Sequence, residues 1–291
     1  MSRRVLTGMT LCMALAICVP AHAIVLRYAP KVGEVYKQKA TMSGRMEMTM
    51  AALQQTMRGE ITMDMDYSEK ALSQTETTTR VQTELLGGKG QVKMAGQSQS
   101  IDMPTGKMVT DMDRRGQVVK VVEMDMPGTE QMMGPGAESL PNWSQFGALP
   151  EGDVSPKDTW TGKVTIPAGP NMPSIEMTFN CTLLDVTTFQ GRNCAKIRTA
   201  FNGPFQMDLA EAEGMPPGAE GTMDATMNGS IDWYYDYDNS VYVYGEGTVG
   251  MEMTMQMAGA AGAGMPEGDI KMKMLMNIKT ALQDGAAAPA E

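Results

Sequence analysis

Residues 249–257 read Val-Gly-Met-Glu-Met-Thr-Met-Gln-Met. Met251, Met253, Met255 and Met257 alternate with Glu252, Thr254 and Gln256. A period of two puts all four thioethers on one face of a β-strand and the polar residues on the other. The alternation recurs. Met46, Met48 and Met50 flank Glu47 and Thr49, and Ile61, Met63, Met65 and Tyr67 flank Thr62, Asp64 and Asp66. Met272, Met274, Met276 and Ile278 alternate with Lys271, Lys273, Leu275 and Asn277. The chain reads as antiparallel strands that share one methionine-rich apolar face, with Asp64, Asp66, Glu252 and Lys273 turned to solvent.

The first 23 residues read as a signal peptide. Arg3 and Arg4 precede an apolar run from Val5 to Val19 that is too short to span a bilayer. Ala21-His22-Ala23 supplies the small residues of a cleavage site after Ala23. Ser2-Arg3-Arg4-Val5-Leu6 resembles a twin-arginine signal, a pairing also common in ordinary leaders. Leu15-Ala16-Ile17-Cys18 resembles a lipoprotein signal, but Ile17 is bulky where a small residue is expected, so lipidation at Cys18 ranks behind cleavage. No later segment reads as a transmembrane span, and the expected product is exported to the periplasm or beyond.

Processing removes the only histidine, His22, and leaves two cysteines, Cys181 and Cys194. Losing Arg3 and Arg4 takes the formal charge from −10 to −12. Such a chain is a poor partner for nucleic acid or an anionic membrane surface, both of which need clustered Lys and Arg. The methionine content is anomalous: 32 residues, of which only Met1, Met9 and Met13 fall in the signal. Thioether side chains are flexible and fill irregular space, but specify packing less sharply than Ile or Leu.

The expected strands run from Val35 to about Met50, Met57 to Glu69 and Thr75 to Leu86. A turn at Gly87-Gly88-Lys89-Gly90 and a short strand from Gln91 to Ala95 follow. A hairpin about Arg114-Arg115-Gly116 joins Lys107–Asp113 to Gln117–Glu123. Glycine and proline crowd the stretch from Met126 to Pro150, which reads as a crossover with one or two helical turns between Glu138 and Phe146. Beyond it, strands are expected at Trp160–Ile166, Ser174–Val186, Asn193–Asn202, Thr222–Asp236, Val241–Met257 and Asp269–Leu282. The fold class is mainly β: a large curved antiparallel sheet or half-barrel of long strands. It occupies one domain over residues 24–283, with two halves meeting near 126–150 and a disordered tail at 284–291.

Three short motifs carry a resemblance. Gly33-Glu34-Val35-Tyr36, the run Leu149, Pro150, Val154, Asp158, Trp160, and Gly191-Arg192-Asn193-Cys194-Ala195-Lys196-Ile197 resemble an uncharacterised family of bacterial secreted β-rich proteins. The family reads Gly where this chain has Lys157, which puts the shape of that turn in question. The long strands around a central crossover are more distantly similar to the half-barrel of periplasmic lipoprotein carriers, which implies a concave sheet able to hold lipid. The family has no accepted catalytic residues to carry over.

No enzyme constellation is present. Without histidine in the processed chain, Ser-His-Asp and Cys-His mechanisms are excluded, and no phosphate loop or Gly-x-Ser-x-Gly motif occurs. No cofactor motif occurs either. The pairs Asp64/Asp66, Asp111/Asp113 and Asp236/Asp238 read as solvated outer-face charge. Trp233, Tyr235, Tyr242 and Tyr244 read as an aromatic hairpin in which Tyr235 faces Tyr242 and Trp233 faces Tyr244; a carbohydrate or headgroup platform ranks second for it. The methionine stripes read first as the lining of an apolar site for a lipid or similar molecule. An envelope structural or protein-interaction domain with a filled core comes next, then Cu(I) binding by Met-x-Met pairs, for which the sequence alone leads to no expected metal site beyond weak surface thioethers. Cys181 and Cys194 are expected as separate thiols, Cys181 inward and buried, Cys194 outward and accessible.

Overall fold

The computed structural model describes residues 23–125, 148–166, 175–208, 220–258 and 268–283. The signal segment with Cys18, most of the expected crossover and the tail at 284–291 lie outside them. Among the described residues, twelve strands form one sheet: β1 (Val35–Met50), β2 (Gln55–Gln74), β3 (Thr78–Met94), β4 (Gln97–Met103), β5 (Gly106–Asp113), β6 (Val118–Asp125), β7 (Thr159–Ile166), β8 (Ile175–Phe189), β9 (Arg192–Asp208), β10 (Glu220–Asp236), β11 (Val241–Ala258) and β12 (Gly268–Leu282). Their order is β6-β5-β3-β2-β1-β12-β11-β10-β9-β8-β7, with β4 beside β3. Two antiparallel meanders therefore run outward from the centre, where β1 and β12 pair from Gln38↔Leu282 to Met50↔Ile270.

The sheet curls until its wings face one another. Val81 and Met112 from one wing pack in the same cluster as Cys181 and Leu183 from the other. β6 and β7 share no ladder; one backbone bond, from Leu149 N to Arg115 O at 2.9 Å, and several side chains hold that seam at one rim. Arg115 Nε donates to Leu149 O at 2.8 Å, Arg115 Nη2 to Thr161 O at 2.7 Å, and Gln117 Nε2 to Lys163 O at 2.6 Å. Small residues on the concave face make room for large ones across it. A Cβ at Gly245 would sit 2.4 Å from the Trp233 ring.

The segment before β1 closes the same rim. Ile24 bridges Val154, Tyr28 N donates to Arg114 O, and Gly33 N donates to Ala71 O. Arg27 O accepts from Tyr235 Oη and Ser240 Oγ. Leu26, Tyr28, Leu149 and Val154 are buried there against Phe179, Ile197, Ile231 and Trp233. The fold thus has one end sealed by ordinary core residues.

Three local expectations need correction. Gly87–Gly90 is no turn: β3 runs straight through it. A register shift leaves Leu86 as an extra residue, and Gly87 takes φ +120°. Glycine is required at Gly88 because a Cβ there would lie 2.2 Å from Asp64 O on β2. On the aromatic hairpin, a bulge between Tyr234 and Tyr235 leaves Val243 unpaired. Tyr235 faces Tyr242, but Trp233 faces Gly245 and Tyr244 faces Tyr234. Asp236 is not solvated: it is fully buried and organises the β10–β11 turn.

The turn at Lys157 keeps a glycine-like geometry with a lysine in it. Lys157 has φ +82°, its N–H donates to Leu183 O at 2.7 Å, and Asp158 Oδ2 accepts from Ser155 N at 2.8 Å. A Cβ in this region crowds the following carbonyl. Lys157→Gly should therefore stabilise the fold by about 0.5–1 kcal/mol after the entropy cost of glycine. The urea midpoint measures it; an unchanged or lower midpoint would mean the turn is unstrained.

Candidate functional site

The cross-strand register assembles the methionines into rows. Met46 lies beside Met274, which lies beside Met251, which lies beside Met227. On its other side Met46 meets Gly59, whose next partner is Met94. One row further out, Met57, Met48, Met272, Met253 and Ala225 are neighbours in turn. The third row holds Met50, Ile270, Met255 and Met223. All these methionines are half-buried. They continue the face that carries Met42, Ile278 and Ile231, which are buried at the sealed end. The balance of residue types changes along one face: mostly Ile, Leu, Phe and Trp where it is packed, mostly Met where it is half-open.

Met63, Met65, Met276 and, from the first row, Met227 are partly buried and pack against the main core cluster. Backbone pairing sets Met257 opposite Gly268 and Gly221; its side chain lies outside the described residues. Met57, Met94, Met223 and Met227 join the rows although the sequence reading passed over them. Met223 and Met227 are separated by Ala225, which hides the period of two.

The opposite face is charged along matching rows. Glu252, Lys273, Glu47 and Arg58 stand side by side on β11, β12, β1 and β2. Lys273 pairs with Glu252 at 3.0 Å and Arg58 with Glu47 at 2.8 Å, all well exposed. Asp64 pairs with Lys39 at 3.3 Å, and Asp66 accepts from Gln283. Exposed pairs of this kind contribute about 0–1 kcal/mol each, so their role is polarity more than stability. An open groove of about 790 Å³ at this end is walled by residues of both faces, and its charged residues (Arg45, Glu47, Arg58, Glu60, Lys93, Glu252 and Lys273) outnumber Met46, Met94, Met251 and Met274.

The aromatic hairpin is core. Trp233, Tyr235 and Tyr242 are buried in the main cluster. Tyr244 is buried too, edge-on to Tyr234, which stacks on Phe189 at 4.0 Å. Burial pushes the Tyr235 and Tyr242 hydroxyls well above their ordinary range. No ring face is left for a sugar or headgroup.

Both cysteines are free. Cys181 pairs with Thr199 and Cys194 with Thr187. Cys194 is not accessible, as its outward register had suggested: it is fully buried in a second cluster with Tyr36, Val241, Val243 and Leu282. Burial pushes both thiols up to about 11. They are protonated at neutral pH and should resist alkylation in the folded protein. Mass spectrometry after alkylation checks this. No label when folded and two labels when unfolded without reductant are expected; an unlabelled unfolded chain would reveal a disulfide.

Among the described residues, no group of three or more His, Cys, Asp or Glu side chains could hold a metal ion, and no helix is long and apolar enough to cross a membrane. No protein-family model and no curated protein matches the chain. Among solved structures, the chain is similar to Pseudomonas aeruginosa OpdQ, at a TM-score of 0.29 and 6% identity over 87% of this chain and 100% of that one. It is also similar to Pseudomonas aeruginosa OccK7 (OpdD), at a TM-score of 0.27 and 6% identity over 86% of this chain and 100% of that one. Likenesses at this level carry no argument about function.

Proposed function

We propose that this is an exported, non-enzymatic β protein that holds or shields an apolar, lipid-like molecule on the methionine rows of its concave face. The observation that carries the reading is the change of residue type along that face. The packed end is mostly Ile, Leu, Phe, Trp and Tyr, with three methionines (Met42, Met112 and Met177), whereas the half-exposed rows are mostly Met. Unbranched thioether side chains adapt to ligands of variable shape, as on other promiscuous apolar surfaces. The charged rows on the outer face support a water-exposed molecule, because a membrane-spanning barrel needs an outward apolar band at that position. The filled sealed end favours the second reading, an envelope structural or interaction domain, in which the open rows would also be covered.

An environment-sensitive apolar dye should bind, and a fatty-acyl lipid should displace it. Met255 is half-exposed between Ile270 and Met223. Met255→Glu should therefore weaken dye binding at least about tenfold while changing stability by less than about 1 kcal/mol. Failure of the wild type to bind dye, with unfolding of the variant, would support the filled-core reading instead.

A further inference from the structure

The sequence offers soft-ligand pairs only at i and i+2, about 7 Å apart along a strand. The register adds much closer neighbours. Met46, Met274 and Met251 sit abreast on β1, β12 and β11, with Met48, Met272 and Met253 abreast one row further out. Adjacent strands are about 4.8 Å apart, so each thioether has a cross-strand neighbour nearer than any along its own strand. Three rotatable bonds let neighbouring sulfurs turn toward one point. The six side chains are half-buried, so an ion could reach them without unfolding.

We propose that these rows also bind a soft monovalent metal ion, Cu(I) or Ag(I), centred on Met46, Met274 and Met251. Neutral thioethers suit a soft ion and offer nothing to Mg²⁺ or Ca²⁺, which require oxygen ligands. Arg45, Arg58, Lys93 and Lys273 stand beside Glu47, Glu60 and Glu252 around these methionines, so affinity must come from the thioethers and not from local charge. Thioethers carry no titrating proton, so affinity should be flat between about pH 5 and 8, unlike a histidine or cysteine site. The two cysteines do not compete, because both are buried and protonated. This site does not depend on the lipid reading: leucine can replace methionine for an apolar ligand but not for a metal.

The test is anaerobic titration of the full processed chain with Cu(I) against a chromophoric Cu(I) chelator, at pH 5.5 and pH 7.5. The wild type should withdraw at least one equivalent with similar affinity at both values. The triple variant Met46→Leu, Met251→Leu, Met274→Leu should lose at least tenfold in Cu(I) affinity and keep the wild-type urea midpoint. Retention of all copper by the chelator would overturn the proposal, as would undiminished binding by a folded triple variant. A triple variant that fails to fold is replaced as readout by Ag(I) with methyl-labelled methionine. Shifts confined to the six row methionines support the site, and shifts elsewhere overturn it. Dye binding by the wild type separates the two ideas: copper binding without dye binding sinks only the lipid reading, and dye binding without copper binding sinks only the metal site.

Discussion

Asp236→Ala should lower the unfolding free energy by about 3 kcal/mol, the cost of removing one member of a buried ion pair. The carboxylate is fully buried and accepts from four directions. Asp238 N and Asn239 N donate to one oxygen at 3.1 and 3.0 Å; Asn239 Nδ2 and Arg192 Nη1 donate to the other at 2.8 and 2.9 Å. Alanine would leave two turn amides without their acceptor and Arg192 without its partner. Arg192 is 29% exposed and can recover water, which places the effect at the lower end of the range for buried pairs. Urea denaturation followed by tryptophan fluorescence reads it directly, since Trp233 lies on the same strand. A loss under about 1 kcal/mol would mean that the turn is held by its backbone alone.

Arg115→Ala should cost about 2 kcal/mol, the scale of charge-assisted hydrogen bonds lost to one part-buried and one exposed carbonyl. Arg115 reaches from the β5–β6 turn to Leu149 O and Thr161 O, and pairs with Glu151 at 3.2 Å. It joins the two wings of a sheet that no backbone ladder closes. Arg115→Lys should rescue little, because an ammonium cannot span two carbonyls with a planar fork. Hydrogen exchange gives a sharper readout than stability alone. Amides on β6 and β7 should lose protection first while β1 and β12, in the middle of the sheet, keep theirs. Uniform loss across all strands would contradict a local clasp.

Much of this architecture was legible because period-two alternation is a local signal. β1, β11 and β12 are found within a residue or two of where the stripes place them. The turn between β8 and β9 is a two-residue hairpin in which Gln190 and Gly191 both take positive φ, at 52° and 77°. What was hidden depends on contacts far apart in sequence. Gly87–Gly90 reads as a turn until the backbone of β2 is set against it. Cys194 reads as exposed until Tyr36 and Leu282 cover it. Leu26 and Tyr28 lie ahead of the first expected strand, yet they seal one end of the sheet. The methionine rows are the same case: each stripe is local, but their union across β1, β12 and β11 needs the pairing of the chain's two ends.

Methionine methyl NMR during titration with a fatty acid tests most directly whether those rows are where an apolar molecule sits. Shifts are predicted for Met46, Met48, Met251, Met253, Met255, Met272 and Met274, which are half-exposed, and none for Met42, Met112 and Met177, which are buried. A spectrum unchanged at saturating lipid, or shifts confined to the buried three, would contradict it.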